Sequence, residues 1–316
     1  MNEIILKQES NALALNTFSQ DLFKKWIQYL DAKPKTIETY NKNIKQFIKY
    51  LNENGIRTPN RADILAYRDY LKATRKPTTI QGYMIAVKLF FQWTEQERIY
   101  PNIANHIKGA KLEAGFKKDY LTPNQACKIL SSIDRKTLQG KRDFALISLL
   151  MTAGLRTIEA KRANIEDLRT AGDSLALYLQ GKGRDDKNAY VKIPQEVEEA
   201  IREYLKERGE TNPQEALFCS ISHRNNGKRL TTESISRIIK NIFRQAGFNS
   251  DRLTAHSLRH TTATLNLLNG GSLEETSQLL RHKSLNTTLI YSHALERAKN
   301  NSEQRVAHAI FSLLSA

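Results

Sequence analysis

The chain has 316 residues, 40% of them hydrophobic and 26% charged, which suits a soluble globular protein and excludes a disordered one. That length accommodates two domains of ordinary size, and no run of about 18 apolar residues is present to span a membrane. The formal charge is +16: residues 1–118 carry 20 Lys+Arg against 11 Asp+Glu, and the rest carries 29 against 22, so a single basic tail is excluded and a nucleic-acid partner is favoured.

The N-terminal MNEIILKQESNALAL lacks a basic n-region and a long apolar core, so no signal peptide is expected. Cys127 and Cys219 are the only cysteines, without CxxC spacing. That pattern suits a reducing cytosol and argues against a structural zinc site.

Four amphipathic helices are predicted first. FSQDLFKKWIQYL sets Phe18, Leu22, Trp26 and Tyr29/Leu30 on one face. After Pro34, TIETYNKNIKQFIKYLNENG aligns Ile37, Tyr40, Ile44, Phe47/Ile48 and Leu51, with Gly55 as a C-terminal cap. Asn60 caps RADILAYRDYLKA, and TTIQGYMIAVKLFFQWTEQERI follows Pro77. Short joints make these a small bundle, with the aromatic stripes as its core. Lys76, Thr78 and Gln81, at the start of the fourth helix, are candidate phosphate contacts, or simply a solvated helix end.

Residues 108–118, KGAKLEAGFKK, read as a linker, being too short and mixed for a domain. The second unit opens with LTPNQACKILSSI, where Thr122 caps a helix and Pro123 takes its first turn. In the next helix Phe144–Met151 is almost continuously apolar, which places it deep in a core. Gly154 breaks it, and LRTIEA restarts behind it with Arg156. Leu175, Leu177 and Leu179 then alternate with small or polar residues, GKGRDDKN intervenes, and AYVKIP alternates again: a hairpin with a Gly-rich turn. Helices return with VEEAIREYLKER, with SISRIIKNIFRQAG (whose Arg237 and Lys240 are candidate DNA contacts), with HSLRH, through Ser277–Leu280, and in a tail ending AHAIFSLLSA. The expected fold is mainly α with a small antiparallel β-sheet.

Six polar residues of the second unit invite a common explanation: Arg156, Lys182, His256, Arg259, His282 and Tyr291. Each alone has a plain structural reading, a turn lysine or a core histidine among them. In HSLRH, however, His256, Arg259 and His260 share one helix face, and such a patch calls for an anion. Guanidinium groups bind phosphate oxygens with paired hydrogen bonds. Imidazole donates to phosphate and shuttles protons near neutral pH. Tyrosine is a latent nucleophile that needs cations around it. No DxD or DDE cluster is present to hold magnesium, so cations stand where a metal would.

TAGLRTIEA, LQGKG, HSLRHTTATL, LLRH and TTLIYSH resemble, in order and spacing, the motifs of the tyrosine recombinases: phage integrases and Xer-type resolvases. His282 stands nine residues ahead of Tyr291, the family's usual interval. The resemblance covers essentially the whole chain. It implies a SAM-like helical core-binding domain over 1–107, a linker over 108–118 and a catalytic domain over 119–316, closing as a C-shaped clamp on DNA. It implies site-specific cutting and rejoining through a 3′-phosphotyrosyl intermediate and a Holliday junction, with no cofactor, ATP or metal.

By this similarity the anion is the scissile phosphate. Arg156 and Arg259 hold its non-bridging oxygens, while His256 and His282 add hydrogen bonds and aid proton transfer. Lys182 protonates the leaving 5′ oxygen, Tyr291 attacks, Glu159 orients the site, and His260 supports it from behind. The implied partners are a double-stranded recombination site and three further copies, forming a homotetramer on synapsed DNA by exchange of the C-terminal helix; no membrane is involved. Three departures stand out. The hairpin turn is longer than usual, so Lys187 competes with Lys182 as the general acid; Arg281 replaces a common glycine and adds a cation beside the site; Ala160 replaces a frequent leucine. The rival readings are a type IB topoisomerase-like nicking-closing enzyme, a helical DNA-binding regulator, and a metal hydrolase built on His256, His260 and His282, which lacks the HExxH glutamate.

Overall fold

The computed structural model describes residues 20–111, 119–180, 186–209, 212–291 and 300–312. Its contacts divide the chain into two units, Met1–Ala114 and Gly115–Ala316.

In the first unit prolines and caps set the helix starts. α1 spans Gln20–Tyr29, α2 Pro34–Glu53, α3 Arg61–Thr74 and α4 Pro77–Gln96. Pro34 and Pro77 each take the first helical turn, where no N–H is needed. Asn60 and Asp63 form a capping box at α3. Gly55 ends α2 at φ +66, and the following Ile56 N–H reaches back to the Leu51 carbonyl at 2.9 Å. α4 is the centre of this unit: Ile80, Met84, Val87, Phe90 and Phe91 are all buried on it. Phe90 meets Trp26 of α1 edge to face at 5.5 Å, and Phe91 meets Phe47 of α2 at 6.0 Å. The aromatic stripes are therefore core, except at Tyr29, which is exposed and donates to Gln96 Oε1 at 2.8 Å.

The second unit is built around one buried helix. Its helices are α5 (Pro123–Ser131), α6 (Leu138–Thr152), α7 (Thr157–Arg162), α8 (Gln195–Arg208), α9 (Thr232–Gln245), α10 (Ala255–Leu268), α11 (Leu273–Leu280), α12 (helical over 286–291) and α13 (Ser302–Phe311). Ala145–Met151 of α6 is buried throughout, so this stretch of the helix has no face open to solvent. Phe144, at its edge, is only half-buried and carries the Arg135 guanidinium over its ring at 4.3 Å. α8 and α10 pack against α6. α10 docks partly through threonines: Thr262 donates to the Met151 carbonyl at 2.6 Å, and Thr261 accepts from the Leu121 N–H at 2.9 Å.

The hairpin belongs to a three-stranded antiparallel sheet of order β1 (Leu168–Ala171), β2 (Ser174–Leu179), β3 (Ala189–Lys192). Leu177 pairs with both Leu168 and Val191, which fixes the register. β1 adds to the two strands read from the alternation. Its four residues carry no apolar alternation, and the turn at Gly172, φ +62, is what folds them back onto β2. The chain is thus mostly helical with one small antiparallel sheet. No described helix is long and apolar enough to cross a membrane.

Candidate active site

The site is assembled from three chain reversals. The first is the α6–α7 turn, where Gly154 is required twice over. It sits at φ +56, and a Cβ there would lie 2.7 Å from Leu280 Cδ2 and 3.2 Å from Thr262 Cγ2. The turn delivers Arg156 to the N-cap of α7. Glu159, one turn on, accepts from the Arg156 backbone N–H and from its Nη1, both at 2.8 Å.

The second is the start of α10. Helical spacing puts His256, Arg259 and His260 on one face, and the depths differ: His256 is exposed, while Arg259 and His260 are buried. Arg259 donates from Nη1 to the Gly154 carbonyl and from Nη2 to the Leu280 carbonyl, tying the other two reversals together. The His256 and His260 rings meet edge to face at 4.6 Å.

The third reversal is the end of α11. Arg281 takes the left-handed conformation, φ 54 and ψ 47, which turns the chain toward α12. His282 follows, and its Nδ1 shares a 2.8 Å hydrogen bond with the hydroxyl of the buried Thr288. Tyr291 ends the described part of α12 with its ring buried. It packs near-parallel on His282 at 6.4 Å and against His260 at 5.3 Å.

Electrostatics follow from burial among cations. Burial, then the Arg156 and Arg281 charges, lower Arg259 to about 9, so it stays cationic at neutral pH. Burial, then Arg259, Arg156, Arg281 and His256, lower His282 to about 4. Burial, then His256, Arg259 and His282, lower His260 to about 4. Both imidazoles are therefore neutral at pH 7. Burial raises the Tyr291 phenol above its ordinary value, while Arg259 and Arg156 pull it back. Burial works to raise the Glu159 carboxyl, but the Arg281 charge and the hydrogen bonds it accepts outweigh this and hold it below the usual range.

Arg156 and His256 line an open cavity of about 730 Å³ together with Lys240 of α9. Lys240 Nζ also donates to the Ser250 carbonyl at 2.7 Å. Arg237 is exposed on the same helix but outside that lining. In the first unit Lys76 and Thr78 are exposed at the start of α4; Gln81 is half-buried, its amide pressed on Gly109 so closely that a Cβ there would collide with it. Lys182 lies outside the described residues. Lys187 is engaged elsewhere: its Nζ donates to both oxygens of the buried Asp167, at 2.8 and 2.7 Å. Arg281 does add a cation, but Glu159 Oε2 neutralises it at 2.8 Å. Sequence reasoning missed this pair and the role of Thr288. The only signal was an arginine in a glycine's place. Among the described residues no group of three or more His, Cys, Asp or Glu is arranged to hold a metal ion.

The profile of the phage integrase family matches residues 119–297, and that of the phage integrase N-terminal SAM-like domain matches residues 21–98. The chain belongs to the phage integrase family. The catalytic match takes in all three reversals and stops short of α13. Tyrosine recombinase XerD of Listeria monocytogenes is 27% identical over 267 residues, 82% of this chain and 87% of that one. Tyrosine recombinase XerC of Herpetosiphon aurantiacus is 30% identical over 269 residues, 82% and 84%. A crystal structure of XerH site-specific recombinase bound to difH substrate, a pre-cleavage complex, matches at TM-score 0.67 and 25% identity over 83% of this chain and 78% of that one. The enzyme is a tyrosine site-specific recombinase, with the mostly helical fold of that class.

Proposed function

We propose that the recombinase cuts and rejoins double-stranded DNA at a specific site, with Tyr291 as the nucleophile. The observation that carries this is the packing of the Tyr291 ring against His260 and His282, in a site that also holds the half-buried Arg156 and the buried Arg259. The phenolic oxygen forms a bond to phosphorus, the bond to the 5′ oxygen breaks, and a 3′-phosphotyrosyl link results. Its phenolic proton passes into the histidine cluster, and Lys182 supplies the proton that the leaving 5′ oxygen takes up. Arg156 and Arg259 hold the non-bridging oxygens, where a guanidinium serves as two directed donors. His256, exposed at the cavity mouth, donates to the phosphate. Attack by the 5′ hydroxyl of a partner strand reverses the step, and two rounds pass through a Holliday junction. The phosphoester energy stays in the covalent link, so ATP and metal have no step to drive.

Residues 1–107 act as the core-binding domain, with Lys76, Thr78 and Gln81 at phosphates, 108–118 as the linker, and 119–316 as the catalytic domain, with Arg237 and Lys240 along the duplex. Four copies assemble on two synapsed sites by exchanging the C-terminal helix. The exposure of Val306 and Ile310 on one face of α13, at 58% and 55%, supports a partner surface for it.

The test is covalent capture. Duplexes selected from a random library by adduct formation with the wild type supply a nicked suicide substrate. Wild type should form the adduct and Tyr291→Phe should not; an adduct on Tyr291→Phe would reassign the nucleophile.

A further inference from the structure

Arg281 holds a backbone conformation that glycine adopts freely and other residues adopt at a cost. Its side chain is what offsets that cost. Nη2 pairs with Glu159 Oε2 at 2.8 Å and donates to the Gly154 carbonyl at 3.2 Å; Nη1 donates to the Leu279 carbonyl at 2.6 Å. The Glu159 carboxylate has no exposed surface, and its other oxygen takes Arg156 Nη1 at 2.8 Å. One buried carboxylate is thus shared by two guanidinium groups.

The charge count then matters. Arg156, Arg259 and Arg281 against Glu159 leave two net positive charges; without Arg281 only one would remain, and Glu159 would pin Arg156 alone. A phosphodiester carries one negative charge, and a phenolate attacking it brings a second into the transition state. The Arg281 side chain is only 12% exposed, so it reaches Glu159 rather than DNA.

We infer that Arg281 is a positioning residue: by sharing the Glu159 charge with Arg156 it leaves the arginine pair a net positive charge for the phosphate, and its effect falls on strand cleavage rather than on DNA binding. This rests on the reading of the site given above. It depends on an arginine where glycine would satisfy the backbone.

The experiment uses the full-length protein and the nicked duplex obtained by covalent capture on the wild type. Three quantities are read: single-turnover adduct formation, non-covalent affinity for the same duplex, and thermal unfolding. Arg281→Gly should fold, since glycine suits the conformation, and bind the duplex within about threefold of wild type. Its cleavage should slow on the order of tenfold or more, the scale of one removed charge at a developing anion. Adding Glu159→Gln to Arg281→Gly restores two net positive charges and should recover part of the lost rate. A strut with no electrostatic role would give no such rescue.

Arg281→Lys and Arg281→Gln provide a second comparison if the glycine variant unfolds: the lysine should cleave faster than the glutamine. Wild-type cleavage by Arg281→Gly, a double variant no faster than Arg281→Gly, or a glutamine as fast as the lysine would overturn the inference alone. A wild type that captures no duplex would overturn the reading of the site, and the inference with it.

Discussion

Replacing Gly154 with alanine perturbs the turn that carries Arg156 without touching any polar side chain of the site. Two penalties can be worked out. A left-handed φ of +56 costs an alanine about 1–2 kcal/mol relative to glycine. The added Cβ also falls 2.7 Å from Leu280 Cδ2, an overpacking that typically costs about 1–3 kcal/mol in a core. Together they predict a loss of about 2–5 kcal/mol. For a unit the size of Gly115–Ala316 that lowers the unfolding midpoint by about 4–20 °C. Most of the steric share belongs to Leu280, with Thr262 Cγ2 at 3.2 Å adding the remainder, so in a Leu280→Ala background the same substitution should cost little more than the conformational share. Differential scanning calorimetry on the four proteins of that cycle measures both. A cost below about 1 kcal/mol in the wild-type background, or an equal cost in both backgrounds, would refute the argument from conformation and space.

Three further outcomes are expected. Lys182→Ala should regain cleavage on a 5′-bridging phosphorothiolate duplex, whose sulfur leaves without protonation, and Arg259→Ala should not; rescue of Lys187→Ala instead would move the proton donor to the lysine found on Asp167. The DNA-free protein should lose stability as pH falls from the ordinary histidine range toward 4: unfolded His260 and His282 take up protons first, while the folded ones resist until about 4, so the unfolded state binds more protons across that window. Unfolding midpoints measured across that range should flatten in His260→Asn, and an unchanged slope would exclude His260 as a contributor. Deleting residues 304–316 should leave thermal stability and single-site DNA affinity nearly intact while abolishing strand exchange; recombination at the full rate by the truncated protein would remove the idea that this helix docks on a neighbour.

What the sequence disclosed was local, and what it withheld was long-range. Pro34, Asn60, Pro77, Thr122 and Gly55 announce helix ends because caps act within three or four residues. The apolar run at Phe144–Met151 announces a buried helix for the same reason. His256, Arg259 and His260 share a face by spacing alone. By contrast, β1 has four residues and no alternation, and only its pairing with β2 makes it a strand. The pairs Arg281–Glu159 and Lys187–Asp167 join residues far apart in sequence, and no local pattern links them. The turn bearing Lys182 was legible as a Gly-rich loop, of which residues 181–185 lie outside the described residues, as do Leu313 and Leu314 of the terminal apolar cluster.

The two bonds made by Arg259 have an evolutionary consequence. Its guanidinium joins the carbonyl of Gly154 to that of Leu280, so if it also holds the phosphate, as proposed above, one side chain both fastens the scaffold and serves the chemistry. A lysine offers a single ammonium and cannot span two such acceptors with directed donors. Under that proposal any weakening at this position would loosen the frame as it weakens the chemistry. Arg237 on α9 and Lys76 at the head of α4, exposed residues proposed to meet the duplex, are where a change of DNA target would leave that frame intact.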